Sequence, residues 1–208
     1  MIRLQDLLKE VKIKEPLVKL FTNVDILDNA EYKNLLIHYI ESVYNLDQND
    51  FANLVTWMLQ NKSKYSNVLN PKSGYAYRGT SITPEQYNKI KDNPTTKEEG
   101  YTVIQAPYSS TSEAQSWTYD FKVAYRFSEK GIFNNPRLEK GGRPVIVRVK
   151  INDTFVGNPK LTNPIADRLS LKSEKEIFHL GKTIDNAEWL IQSADIELRK
   201  LWYDYKIY

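Results

Sequence analysis

The 208-residue chain is 41% hydrophobic and 26% charged, with a net charge of +3, a composition that suits one ordinary globular domain able to bury a core. It has no cysteine and only two histidines, His38 and His179, which excludes disulfides, cysteine-ligated zinc and thiolate nucleophiles and leaves little for a histidine metal site or a Ser-His-Asp triad. The mild positive charge admits an acidic or nucleic-acid partner without requiring one, and no apolar run reaches the ~20 residues of a membrane span.

The first twenty residues interrupt their apolar positions with charges every second or third residue, unlike the apolar core of a signal peptide. The expected place of work is therefore the cytoplasm. Residues 1–70 read as helical. Leu35, Leu36, Tyr39, Ile40 and Val43 recur at helical spacing behind Asp28 and Glu31, an acidic version of a capping box. Phe51, Leu54, Val55, Met58 and Leu59 form a second stripe, read as core. His38 falls inside the first of these helices and is read as structural or exposed.

The texture changes after residue 74. "GYAYRG" has the register of a strand running out at Gly79. Thr83, Pro84 and Gln86 open a short helix with a capping box and proline in its first turn. "YTVIQAPYSSTS" is a β-rich run followed by small hydroxyl residues. Trp117, Phe121, Ala124 and Phe127 share helical spacing. Residues 129–144 form a loop rich in Gly, Pro and Asn. "PVIVRVKI" is a strand with Val145, Val147, Val149 and Ile151 on one face. A long, twice-proline connection follows, of the length often found in functional loops. "KEIFHLG" is a short strand, and the aromatic tail "IELRKLWYDYKIY" reads as a closing strand or hairpin. With helices first and mostly strands after, the fold class is α+β.

Three fragments carry more chemistry than a core needs. Arg78 offers a rigid fork of donors suited to phosphate oxygens, beside Gly79, whose bare backbone a ligand can approach. Taken singly, an Arg paired with an acid at a strand end is the plainer reading. Ser110, Thr111 and Ser112 supply hydroxyls that donate and accept; a helix cap is the plainer reading. Glu174 and Glu176 fall on the same side of an extended chain, where two carboxylates repel and one is pushed to hold its proton. That pairing suits a division of labour between stabilising positive charge and accepting a proton. A solvated acidic loop end is the plainer reading here.

In this order the three fragments resemble the mono-ADP-ribosyltransferases of the Arg, Ser-Thr-Ser, Glu-x-Glu group, and among them the short Mod-type enzymes of T-even-like bacteriophages. The likeness spans roughly residues 70–208 and rests on Tyr77-Arg78-Gly79, Tyr108 with Ser110-Thr111-Ser112, Ala124 with Phe127, and Glu174-Lys175-Glu176. Ninety-eight residues separate Arg78 from Glu176. The likeness implies a helical N-terminal portion (1–70) packed on a mixed split-β-sandwich core (71–208), within a single domain. "NAEWLI" at 186–191 competes for the Glu strand, but it puts Asn186, not Glu, before Glu188.

The resemblance also implies NAD as substrate, without a metal. Glu176 bonds the ribose 2′-hydroxyl and stabilises the oxocarbenium-like centre left by nicotinamide. Arg78 holds the phosphates, and the Gly79 backbone holds the nicotinamide amide. Ser110 orients Glu176, while Thr111 and Ser112 line the pocket. Phe133 is the candidate for stacking on nicotinamide. Glu174 positions and deprotonates a target arginine, so the implied acceptors are arginine side chains of host proteins, with transcription and ribosomal proteins as candidates. In some members NAD-capped RNA also serves as donor. No membrane is implied. The other readings are an NAD glycohydrolase, against which Glu174 argues, and a non-catalytic nucleic-acid- or protein-binding module, for which no basic-aromatic stripe is present.

Overall fold

The computed structural model describes residues 30, 33, 47–129, 143–158 and 175–192. In chain order these form α1 (Gln48–Gln60), α2 (Ser66–Leu69), β1 (Tyr75–Ile82), α3 (Pro84–Ile90), β2 (Thr95–Glu98), β3 (Tyr101–Gln105), β4 (Tyr108–Ser109), β5 (Ala114–Thr118), α4 (Phe121–Glu129), β6 (Arg143–Lys150), β7 (Phe155–Gly157), β8 (Glu176–Leu180), β9 (Thr183–Ile184) and β10 (Ala187–Gln192). The expected capping box at Asp28 and Glu31, the stripe from Leu35 to Val43, His38, Phe133, Glu174 and the aromatic tail all lie outside the described residues. Among the described residues no helix is long and apolar enough to cross a membrane.

The chain divides into two compact units, each assembled from separated stretches. The first takes residues up to Ala76, then 109–120 and 150–183. Its sheet is β5–β8–β7, antiparallel throughout, with β8 central. The register sets Thr118 opposite Glu176, Trp117 opposite Ile177, Ser116 opposite Phe178 and Ala114 opposite Leu180. Side chains alternate across a strand, so Ala114, Ser116, Thr118, Glu176 and Phe178 share a face. On that face α1 lays its stripe: Leu54, Val55, Trp57 and Met58 are buried with Leu69, Ala114, Val156 and Phe178. Phe51 and Leu59 are partly buried against the same cluster, and Phe51 meets Phe178 edge to face at 5.2 Å. The stripe forms as the spacing predicts, with Trp57 added; its ring stacks on Tyr65 at 6.0 Å. Asp47 starts α1 by accepting from the Asn49 N–H at 2.8 Å. Beyond its last turn, Lys62 Nζ donates to the Phe155 carbonyl at 2.9 Å and ties the helix end to β7.

The opposite face of this sheet carries Trp117, Phe155 and His179. Their rings lie 5.8 Å (Trp117–Phe155), 4.8 Å (Phe155–His179) and 6.4 Å (Trp117–His179) apart. His179 is 2% exposed, and its Nδ1 has no hydrogen-bond partner among the described residues. It packs in the core, as its strand position suggests.

The second unit takes 77–108, 121–149 and the chain from 184. Its strand order is β2–β3–β10–β6–β1, and the β2–β3, β3–β10 and β10–β6 pairs are antiparallel. Val145, Ile146, Val147 and Val149 are all buried, so β6 buries both faces and not only the one its alternation marks. Helix α4 covers β1 and β3 through Ala124 and Phe121, the latter edge to face with Tyr77 and with Tyr101, at 5.7 Å each. Helix α3 opens as the sequence predicts: Thr83 accepts from the Gln86 N–H at 3.2 Å and Gln86 accepts from the Thr83 N–H at 3.0 Å, with Pro84 in the first turn.

The stretch from Ala114 to Thr118 departs from the sequence expectation. Trp117 shares helical spacing with Phe121, Ala124 and Phe127, yet it belongs to β5, and the helix begins only at Phe121. Ala114, Gln115, Trp117 and Thr118 are buried on alternate faces, so the strand shows no alternation that would mark it. Thr118 Oγ1 accepts from the Asp120 N–H at 3.0 Å and closes the turn between strand and helix. Phe127, at the same helical spacing, is 39% exposed.

Burial pushes the His179 imidazole down to about 4, because a charge there would lose its water. The unfolded chain therefore takes up a proton near pH 6.5 that the folded chain refuses until about pH 4. The stability this gives is full above pH 6.5 and is lost as pH falls through that window, by about 3 kcal/mol for a shift of this size. Urea titrations between pH 7 and pH 4 are expected to show that loss, and His179→Phe is expected to flatten the slope.

Candidate functional site

Glu176 is the first residue of β8, the central strand of its sheet. It is partly buried. Each flanking strand supplies a donor to it. From β5, the Ser116 hydroxyl donates to Oε1. From the other side, Asn158 Nδ2 donates to Oε2 at 2.9 Å. Asn158 follows Gly157, which pairs with Ile177, so the antiparallel register carries it directly opposite Glu176. Both carboxylate oxygens are thus held by neutral donors, which fix an orientation without themselves cancelling the charge.

The chain enters Glu176 through a sharp bend. Lys175 has φ +45°, in the left-handed region that a side chain with a Cβ visits at a cost of about 1–2 kcal/mol. Two contacts hold it there: its carbonyl accepts from the Tyr119 N–H at 3.1 Å, and its Nζ meets Asp120 Oδ2 at 2.9 Å. Both partners lie in the turn after β5, so the bend and the strand pairing are fastened by the same short stretch.

Ser110 lies at the other end of the β5–β8 ladder. Its N–H donates to the Lys182 carbonyl at 2.8 Å, and its hydroxyl accepts from the Ser112 N–H at 3.1 Å. Glu176 is four residues up β8 from Leu180, roughly 13 Å at the rise of a strand. The hydroxyl that orients Glu176 is therefore that of Ser116, not Ser110. Ser110-Thr111-Ser112 forms a local turn, with Thr111 exposed and its neighbours partly buried. One sequence signal pointed to Ser116: in Ser116-Trp117-Thr118 two hydroxyl residues flank a third residue, as in Ser110-Thr111-Ser112. The aromatic between the hydroxyls made that segment read as helix. Asn158 carried no comparable signal.

Arg78 and Gly79 belong to the second unit. The strand does not run out at Gly79 but continues to Ile82. Arg78 is partly buried, on the strand face shared with Ala76, Thr80 and Ile82. Gly79 faces the other way, toward α4. A Cβ on Gly79 would stand 1.8 Å from the Ala124 carbonyl oxygen and 2.6 Å from the Ser128 nitrogen. The missing side chain is used by helix backbone, which sits directly on the strand.

Glu188, the competing carboxylate, lies on β10 between β3 and β6. Arg148 Nε donates to it from the neighbouring strand, and Gln105 Nε2 donates at 2.9 Å from the other. The same Arg148 forks onto Glu98 at 2.9 and 3.1 Å. Burial alone would lower the Arg148 guanidinium, but the bonds to Glu98 and Glu188 outweigh it and hold it above its usual range. The Arg148 hydrogen bond likewise holds Glu98 below the usual carboxylate range. Glu188 is one arm of a cross-strand ion cluster. Among the described residues, no group of three or more His, Cys, Asp or Glu side chains could hold a metal ion.

No family model and no curated protein matches the chain. Among solved structures, an ADP-ribosyltransferase, Vis, in complex with an inhibitor, is similar at 19% identity, over 88% of this chain and 76% of that chain, with a TM-score of 0.42. A likeness of that size assigns neither fold nor function.

The close approach at Gly79 is testable by stability alone. Gly79→Ala is expected to cost about 3 kcal/mol or more, because the clash is with backbone and no neighbouring side chain can give way. For a chain of this size that is a fall of roughly 6–12 °C in the thermal midpoint. Gly157→Ala, whose Cβ would stand 3.0 Å from the Val68 carbonyl, gives the milder comparison by circular dichroism.

Proposed function

We propose that the protein transfers ADP-ribose from NAD to arginine side chains of proteins, releasing nicotinamide. One observation carries the reading: Glu176 is a partly buried carboxylate whose two oxygens accept from uncharged groups, Ser116 and Asn158. Such a carboxylate is held in one orientation by partners that bring no charge of their own, and an oriented carboxylate suits the stabilisation of a developing cation. Glu188, with Arg148 donating to it, is the poorer candidate for that task.

In this reading the C1′–N glycosidic bond of NAD breaks and nicotinamide leaves with the electron pair. The ribose carbon becomes oxocarbenium-like, and Glu176 stabilises it through the 2′-hydroxyl. A guanidine nitrogen of the acceptor then forms the new C–N bond. Its surplus proton passes to Glu174, which is needed because a free arginine stays protonated at neutral pH. The role first given to Ser110 passes to Ser116. On the motif likeness, Arg78 takes the phosphates of NAD, Gly79 takes the nicotinamide amide through its backbone, and Phe133 stacks on the ring. Acceptors in a host's transcription and translation machinery, NAD-capped RNA as an alternative donor, a phage origin and a cytoplasmic place of work belong to the same likeness.

Incubation with labelled NAD and a bacterial lysate tests this, reading label on protein beside free nicotinamide. Wild type is expected to give both signals. Glu176→Ala is expected to abolish both, and Ser116→Ala to lower both about 10–100-fold, as for loss of an orienting contact. Glu174→Ala is expected to lose labelling while keeping some nicotinamide release. Glu188→Ala is expected to leave the chemistry of folded protein intact. Nicotinamide without label, insensitive to Glu174→Ala, would make the protein a hydrolase. Neither signal from wild type would sink the catalytic reading.

A further inference from the structure

We propose that Asn158 is a positioning residue for Glu176, and that its carboxamide, working against the Ser116 hydroxyl from the opposite strand, sets the direction in which the carboxylate faces substrate. The inference rests on the reading of Glu176 as the carboxylate beside the ribose. The geometry is that of a two-sided clamp. Glu176 heads the central strand, Ser116 reaches Oε1 from β5, and Asn158 reaches Oε2 at 2.9 Å from the end of β7. With a donor at each oxygen, the carboxylate cannot turn about its last torsion without losing both bonds. One donor alone would leave that torsion broad.

The residue type fits the task. A carboxylate accepts only, so the Asn158 amide must present its NH2 and not its oxygen. The amide does not titrate, so its grip is the same across the working pH range. A lysine or arginine in its place would bring a positive charge that competes with the cation Glu176 is to stabilise. An aspartate would have the same shape but no donor, and would set a like charge against Glu176. The nearby charged pair, Lys175 and Asp120, is engaged with itself at 2.9 Å. Asn158 also stands where its backbone is already fixed. Gly157 pairs with Ile177, and Gly157 has Val68 and Leu69 carbonyls close against it. The side chain is thus delivered by strand pairing.

Asn158→Ala and the isosteric Asn158→Asp test the proposal in the full-length protein. Nicotinamide release is expected to fall about 10–100-fold in kcat, with KM for NAD within about twofold, since an orientation and not a binding contact is lost. The thermal midpoint of Asn158→Asp reports whether that variant is folded. A second readout needs no turnover: the 13C carboxyl resonance of Glu176, titrated in ligand-free protein. Both variants are expected to raise its midpoint, Asn158→Asp more than Asn158→Ala, because each removes a bond to the ionised form. Unchanged kcat with an unchanged midpoint in folded variants overturns the proposal. An inactive wild type whose midpoint moves in the variants refutes the transferase reading, and with it the catalytic part of this proposal, while retaining the clamp. An active wild type whose variants lose only thermal stability makes Asn158 a structural residue and also overturns it.

Discussion

The antiparallel register between β5 and β8 is the constraint on which the candidate site depends. With Thr118 opposite Glu176, the next hydroxyl on that face is Ser116, and it reaches the carboxylate diagonally. A slip of one residue would turn the whole set of β8 side chains over, sending Glu176 toward the Trp117–Phe155–His179 face and Phe178 away from α1. The packing of Phe178 under Leu54 and Met58 therefore enforces the register, and the register aims the carboxylate. Core and site are one arrangement here, because Phe178 and Glu176 stand two residues apart on one face of the same strand.

Two carboxylates on central strands show how environment separates roles. Glu188 and Glu176 both sit between two flanking strands and both receive donors from each side. Arg148 supplies one of the donors at Glu188 and shares itself with Glu98. At Glu176 a hydroxyl and an amide are among the donors. The first arrangement joins three strands of the second unit electrostatically, worth most where it is partly shielded from water. The second gives less cohesion and more direction.

Much of the fold was legible in the sequence. The α1 stripe, the capping box of α3 and the strands β1, β6 and β8 follow from periodicity, cap chemistry and β-branched runs, all of which are local. β5 was not legible. Its residues bury both faces, which erases alternation, and Trp117 happens to stand four residues before Phe121, at helical spacing. That misreading hid Ser116, since a serine inside an apparent helix attracts no notice. Asn158 was hidden for another reason. Its partner is 18 residues away, and only strand pairing brings the two together. Glu176 was singled out by the glutamate two residues before it and by the order of the three motifs. Gly79 was noticed for the approach its bare backbone gives a ligand; on the side where a Cβ would stand, helix backbone fills the space.

Most helices rest on a sheet through a layer of side chains, and such a layer is compliant, since each chain can shift among rotamers. At Gly79 that layer is missing, and the Ala124 carbonyl lies against the strand itself. Strand and helix meet there backbone to backbone, with no rotamer between them to take up a displacement.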